Sequence, residues 1–140
     1  MKKIAFFLFI GLIFASCGKK EIKQVSQESK ITQEAFAVIE KIKNAFADND
    51  NTTLQQNSTS EGFKDITSNK KTFESVEIIF TPRWVEIGDK KVEVNIAWQC
   101  AWMGSGRKTE ERGMAVFILE GSPLKVSKIL RANPFVYPEQ

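Results

Sequence analysis

The chain has 140 residues, room for one compact domain and not two, and a formal charge of +3 that falls to about +1 when Lys2 and Lys3 are set apart, since every Asp and Glu lies beyond them. Lysines and arginines alternate with carboxylates along most of the sequence, which excludes the clustered basic face that nucleic-acid binding requires. Eleven Phe and three Trp are enough to fill a small core and exclude wholesale disorder.

Met1-Lys2-Lys3 forms a positive end, Ile4 to Phe14 an almost unbroken apolar run, and Ala15-Ser16 the small residues that flank a processing site. The run is too short for a hydrocarbon core, which takes roughly 20 residues of helix, so residues 1–16 are expected to be a signal peptide cut between Ser16 and Cys17. Ile13-Phe14-Ala15-Ser16-Cys17 resembles the bacterial lipobox, with Phe14 where Leu is usual. The resemblance implies a diacylglyceryl group with palmitate-like chains on the Cys17 thiol, and hence a lipoprotein of the bacterial cell envelope. Each buried methylene adds about 0.8 kcal/mol, so two or three chains make a stable membrane anchor. Gly18, next to the cysteine, implies the outer membrane in a host that has two. Residues 17–29 are expected to be the lipidated cysteine and a flexible tether, whose Lys19, Lys20 and Lys23 can rest on anionic lipid. With Cys17 in a thioether, Cys100 is left without a disulfide partner.

Residues 30–140 are expected to form a single α+β domain. Ile31, Ala35, Val38, Ile39, Ile42 and Phe46 fall on one helical stripe, with Ser29 as the expected cap. Asp48-Asn49-Asp50-Asn51 ends this helix and caps a shorter one from Thr52 to about Ser58, with Leu54 inward. Ser58 to Thr72, rich in Ser, Thr, Asn and Lys, reads as a loop or frayed turn anchored by Phe63 and Ile66. From Phe73 the period becomes two: Val76, Ile78 and Phe80 alternate with polar residues until Pro82 imposes a kink or bulge, and Trp84 to Ile87 resumes the strand. Gly88-Asp89 signals a hairpin through the positive φ that glycine accepts. Lys91 to Met103 places Val92, Val94, Ile96, Trp98, Cys100 and Trp102 on one face. Gly104-Ser105-Gly106 turns the chain into Arg107–Glu120, whose Met114–Leu119 is apolar on both sides and so predicted to be buried on both. Leu124–Arg131 is the last strand, and Ala132-Asn133-Pro134-Phe135 closes the domain.

Lys30 to Phe135 resembles the nuclear transport factor two-like, or ketosteroid isomerase-like, superfamily. The resemblance rests on Phe80-Thr81-Pro82-Arg83-Trp84-Val85-Glu86-Ile87 before a Gly-Asp turn, the strand ending Ile96-Ala97-Trp98, and Leu124-Lys125-Val126-Ser127-Lys128-Ile129 before Asn133-Pro134-Phe135. The family usually has Trp where this chain has Leu124. The resemblance implies N-terminal helices packed in a strongly curved antiparallel sheet, a cone that often holds a pocket, and pairing of domains through the outer sheet face. The two-sided strand Met114–Leu119 fits such a homodimer.

Some relatives use the pocket for proton transfer, with an acidic or histidine base and a phenol. This chain has no His, and its single Tyr, Tyr137, follows the last strand, where a phenol is expected to be poorly held, so no catalytic residue carries over. A lone carboxylate serves as a base only if burial raises its pKa; Glu86, Glu110, Glu120 and Asp65 are the candidates, each expected to be solvated. Cys100, flanked by Ile96, Trp98 and Trp102, is expected to be a buried structural thiol. No metal or other cofactor is implied: imidazole is lacking, Asp48-Asn49-Asp50-Asn51 lacks the Gly and Glu of a calcium loop, and no helix follows Gly104-Ser105-Gly106 to cradle phosphate. The remaining constellation is Trp84, Trp98 and Trp102 as pocket lining, with Arg83 and Arg112 at a rim for an anionic ligand. Two readings follow: a noncatalytic envelope module that binds a protein, a peptidoglycan fragment or a small hydrophobic ligand, or a lipid-anchored isomerase- or dehydratase-like enzyme with a pocket carboxylate.

Overall fold

A computed structural model describes residues 24–138. The signal peptide, the cleavage site at Ser16 and Cys17, the lipidation of Cys17 and the tether as far as residue 23 lie outside the described residues. No helix among the described residues is long and apolar enough to cross a membrane.

The first helix, α1, runs Gln27–Ala47 and buries the stripe Ala35, Val38, Ile39, Ile42, Ala45 and Phe46. It starts a turn before the apolar stripe, because Ser26, not Ser29, is the cap: its Oγ accepts from the Ser29 N–H at 3.1 Å. The last residues expected in the tether thus belong to the helix. Asp50 caps the short α2, Asn51–Gln56, accepting from the Thr53 N–H at 3.1 Å, and hydrogen bonds from the Thr53 side chain and then its backbone hold the Asp50 carboxyl below its usual pKa. Leu54 is fully buried.

The supposed loop after residue 58 instead contains a third helix, α3, Ser60–Thr67. Thr59 caps it, its Oγ1 accepting from the Gly62 N–H at 3.2 Å, and Ile66 is buried while Phe63 packs half-buried against the core. Polar residues dominate this segment because a single narrow edge of the helix faces inward. Asp65 ties the helix to the last strand, accepting from the Ile129 N–H at 3.0 Å, and its carbonyl accepts from Asn133 Nδ2 at 2.7 Å.

Four strands, β1 (Ser75–Ile87), β2 (Lys91–Gly104), β3 (Arg107–Glu120) and β4 (Lys125–Arg131), form one antiparallel sheet in that order. The β1–β2 reversal closes with the Gly88 N–H on the Lys91 carbonyl at 2.9 Å, but Gly88 does not take the positive φ expected of it. That conformation occurs instead in the β2–β3 turn, where Ser105 and Gly106 have φ of 51° and 71°, two left-handed residues that match the twist of the flanking strands. All six alternating residues expected inward on β2, from Val92 to Trp102, are buried. On β3, Ala115 to Leu119 is buried on both faces, whereas Met114 is 38% exposed.

The register of β1 explains the other departure. Thr81 pairs with Ala97 and Pro82 with Ile96, then the register slips so that Trp84, not Arg83, pairs with Asn95 and Val85 with Val94. Arg83 is the extra residue of a bulge at Pro82, which has no N–H to give to a ladder. Beyond the slip the alternation is inverted: Val85 and Ile87 pack against the core, and Trp84 turns to the sheet's outer face.

Candidate functional site

The space enclosed by helices and sheet is filled by aromatic rings. Phe46 lies 4.8 Å from Phe135, 5.7 Å from Phe73 and 6.0 Å from Trp102 between ring centroids, while Phe80 and Phe117 close the cluster from the sheet. Phe135 reaches this position because the Asn133 Oδ1 accepts from its N–H at 2.9 Å, folding the chain after β4 back into the core. Both Phe46 and Phe135 are fully buried.

The structure separates the expected tryptophan constellation. Trp98 and Trp102 belong to this interior; the Trp98 Nε1–H donates to the Ala132 carbonyl at 2.8 Å, and the buried Trp102 Nε1–H lacks an acceptor. Trp84 is on the opposite side of the sheet, 47% exposed. Their shared apolar character hid the difference, which depends on the phase slip at the bulge. Tyr137 is also better held than its position after the last strand suggests: its ring packs edge-on against Trp102 at 5.3 Å, and Gly104 admits its hydroxyl because a side chain there would collide with it.

Of the carboxylates considered for proton transfer, Glu86, Glu110 and Glu120 are exposed. Lys108 keeps Glu110 below its usual pKa, through a hydrogen bond and then its charge, which suits a permanent anion and not a base poised near neutrality. Asp65 is engaged in holding β4. Burial, with the nearby charge of Glu111, pushes the Cys100 thiol up to about 12, and its Sγ lies 3.5 Å from the Pro134 carbonyl. A thiol held protonated is a poor nucleophile. Because its folded pKa is raised, the thiol's contribution to stability is complete below the unfolded thiol pKa and is lost as pH rises from about 9 toward 12. In a Cys17→Ala chain at pH 8, Cys100 should therefore react with Ellman's reagent at least roughly a hundredfold more slowly when folded than in guanidinium; comparable rates would show an open thiol.

Two open depressions lie on the outer sheet face. The first, of about 490 Å³, is bordered by Glu77, Ile79, Lys108, Glu110 and Arg112. The second, of about 320 Å³, is bordered by Thr81, Arg83, Trp98, Gln99, Arg112 and Met114, with Ala97 and Gly113 between them, so that Trp98 meets both arginines there although Trp84 and Trp102 do not line it. Arg83 and Arg112, expected at the rim of an internal pocket, thus converge on the outside of the sheet. Next to them the face exposes Ile79 at 51%, Trp84 at 47% and Leu130 at 40%. The register puts Trp84, Asn95, Val116 and Leu130 in one row across all four strands, and Thr81, Ala97 and Met114 in the next. The middle of the sheet therefore exposes Trp84 and Leu130 at the two ends of a row whose Asn95 and Val116 are buried, with Ile79 and Met114 exposed in the rows beside it and two arginines next to them.

No protein-family model matches the sequence, and no curated protein matches it significantly. Among solved structures, a nuclear transport factor 2 (NTF2-like) superfamily protein from Salmonella enterica serovar Typhimurium is similar with a TM-score of 0.66 at 13% identity, covering 76% of this chain and 93% of that one. At that identity the likeness speaks for architecture alone, and it agrees with helices packed against a curled four-stranded antiparallel sheet: the chain has the nuclear transport factor 2-like fold.

Proposed function

We propose that the protein is a lipid-anchored module of the bacterial envelope that acts by binding a partner on the outer face of its sheet, without catalysis. The observation that carries this reading is the contrast between the two faces: aromatic rings fill the interior, while Ile79, Trp84, Met114 and Leu130 stand exposed together outside. Trp, Met and Arg are the residue types enriched where proteins meet, and exposed apolar residues with a polar surround have the anatomy of such a contact. Cys17, through its lipid, would hold the domain at the membrane, and residues 18–23 would lead from the anchor to the folded part. The isomerase-like alternative lacks support from its named carboxylates, which are exposed or engaged in holding a strand.

The test places a photo-crosslinking residue at Trp84, or at Glu40 on the exposed side of α1, in the full chain expressed in a bacterial host. Cross-links to a defined partner are expected from the Trp84 position and not from Glu40. Equal labelling from both, or none from Trp84, would overturn the reading. In the same cells, labelled palmitate should enter the wild-type chain and not Cys17→Ala; retention of label by the variant would remove the anchor.

A further inference from the structure

We infer that the outer face recognises a carboxylate presented by an apolar segment of a partner protein, held between Arg83 and Arg112. This deepens the interaction reading above and rests on it.

The bulge in β1 assembles the site. In a regular strand Arg83 would pair with Asn95 on the outer face, and Trp84 would turn inward opposite Val94. With one residue inserted, Trp84 takes the place opposite Asn95, and Arg83 borders the same face beside it. A positive charge and a large aromatic surface are thereby brought to one spot by neighbouring residues, as bulges do when they re-aim a side chain. Arg112 approaches from β3, where it sits opposite Gln99, two strands away. The strands are about 4.8 Å apart, so roughly 10 Å separates the lines of β1 and β3, a gap two long side chains can span over Ala97 and Met114.

The local charges leave these arginines available. The ion pairs within 4 Å among the described residues are Lys43–Glu40, Lys91–Glu93 and Lys108–Glu110, and neither Arg83 nor Arg112 takes part. Glu110 is engaged by Lys108, whose pKa is raised first by the hydrogen bond to Glu110, then by its charge, and further by the charge of Glu77. Guanidinium is a planar fork that matches carboxylate geometry, and Thr81 and Gln99 add polar groups at the border of the same depression. Ile79, Trp84 and Met114 around it favour a carboxylate with apolar neighbours over a hydrated anion. The depression is open and so suits a side chain projecting from a partner's surface better than an enclosed small molecule. A second copy of this chain fits less well, since pairing through the same face would bring a second set of Arg83 and Arg112 into the contact, which charge complementarity disfavours.

The experiment titrates the full-length chain in detergent with two capped peptides, Leu-Glu-Leu and Leu-Gln-Leu, following the tryptophan indole N–H resonances, and measures its mass by light scattering. The Glu peptide should shift the Trp84 resonance and leave that of Trp102, in the aromatic interior, in place. The Gln peptide, and the variants Arg83→Gln and Arg112→Gln with the Glu peptide, should each bind at least about tenfold more weakly, as expected for loss of a charge-assisted hydrogen bond. Lys128→Gln, a change of an exposed cation on β4 outside the depression, should bind as the wild type, and circular dichroism should show all three variants folded. Equal binding of the two peptides, wild-type binding by either arginine variant, an equal response to inorganic phosphate alone, or a dimeric mass lost in the arginine variants would each overturn the inference. If Trp84 still cross-links to a partner in cells while the peptide test fails, this inference falls and the interaction reading stands; if the cross-links are absent too, both fall.

Discussion

Replacing Gly62 with Ala is expected to destabilise the domain by about 3 kcal/mol or more, although helix propensity alone favours Ala over Gly by about 1 kcal/mol. The opposite sign comes from a close approach of two backbones. Gly62 lies in the first turn of α3, where an added Cβ would sit 2.0 Å from the Val126 carbonyl oxygen and 2.7 Å from its carbon. That oxygen cannot swing aside, because it accepts from the Thr59 N–H at 2.9 Å, while the Val126 N–H donates to the Asn57 carbonyl at 3.0 Å. Ser58 and Val126 pair as a short parallel bridge at the same place. Making room for one methyl group would require α3 to move off β4, breaking the Asp65–Ile129 hydrogen bond and uncovering Ile66 and Val126. Urea unfolding of Gly62→Ala and wild type measures the difference. A midpoint equal to or above that of the wild type would mean that α3 does not lie this close to the strand.

The same residue shows where the sequence is opaque. Glycine within a polar stretch reads as a turn, and its reason here lies 64 positions away in β4. By contrast, β2 is legible throughout, because six apolar residues at a period of two record one buried face in the order of the chain itself. The long stripe of α1 is legible on the same ground, and only its polar first turn, capped by Ser26, extends beyond it. The expected curved-sheet architecture agrees with the solved relative in its fold.

The candidate site was harder to read because it depends on one inserted residue. Pro82 announces an irregularity in β1, but not where the alternation resumes, and a slip of one position decides whether Trp84 faces the core or the outside. Arg83 and Arg112 were legible as a pair of cations, not as neighbours, since a register between strands is needed to bring residues 29 positions apart to one depression. Phe135 is a similar case. Nothing local in Asn133-Pro134-Phe135 reveals that the aromatic ring completes the interior, which depends on Asn133 reaching back to Asp65.

Interior and outer face should therefore respond differently to the loss of an aromatic ring. Phe46→Ala is expected to cost about 3–5 kcal/mol, the range for removing a buried Phe, and to lower the Tm by at least about 10 °C. Phe46 is fully buried and touches three other aromatic residues, so its removal leaves a void that neighbouring rings cannot fill without leaving their own contacts. Trp84→Ala removes a larger ring, yet one already about half in water and outside the core, so its cost should be about 1–2 kcal/mol, well below that of Phe46→Ala. Their effects on binding should reverse: by calorimetry, which does not depend on the indole signal, Trp84→Ala should bind the Glu peptide at least about tenfold more weakly while remaining folded, and Phe46→Ala should bind it as the wild type does at temperatures below its lowered midpoint. Thermal unfolding and peptide titration on the two variants separate a structural aromatic from a recognising one. Should Trp84→Ala destabilise the domain as much as Phe46→Ala, the indole would be part of the core, and the outer face would lose the aromatic surface on which its recognition role depends.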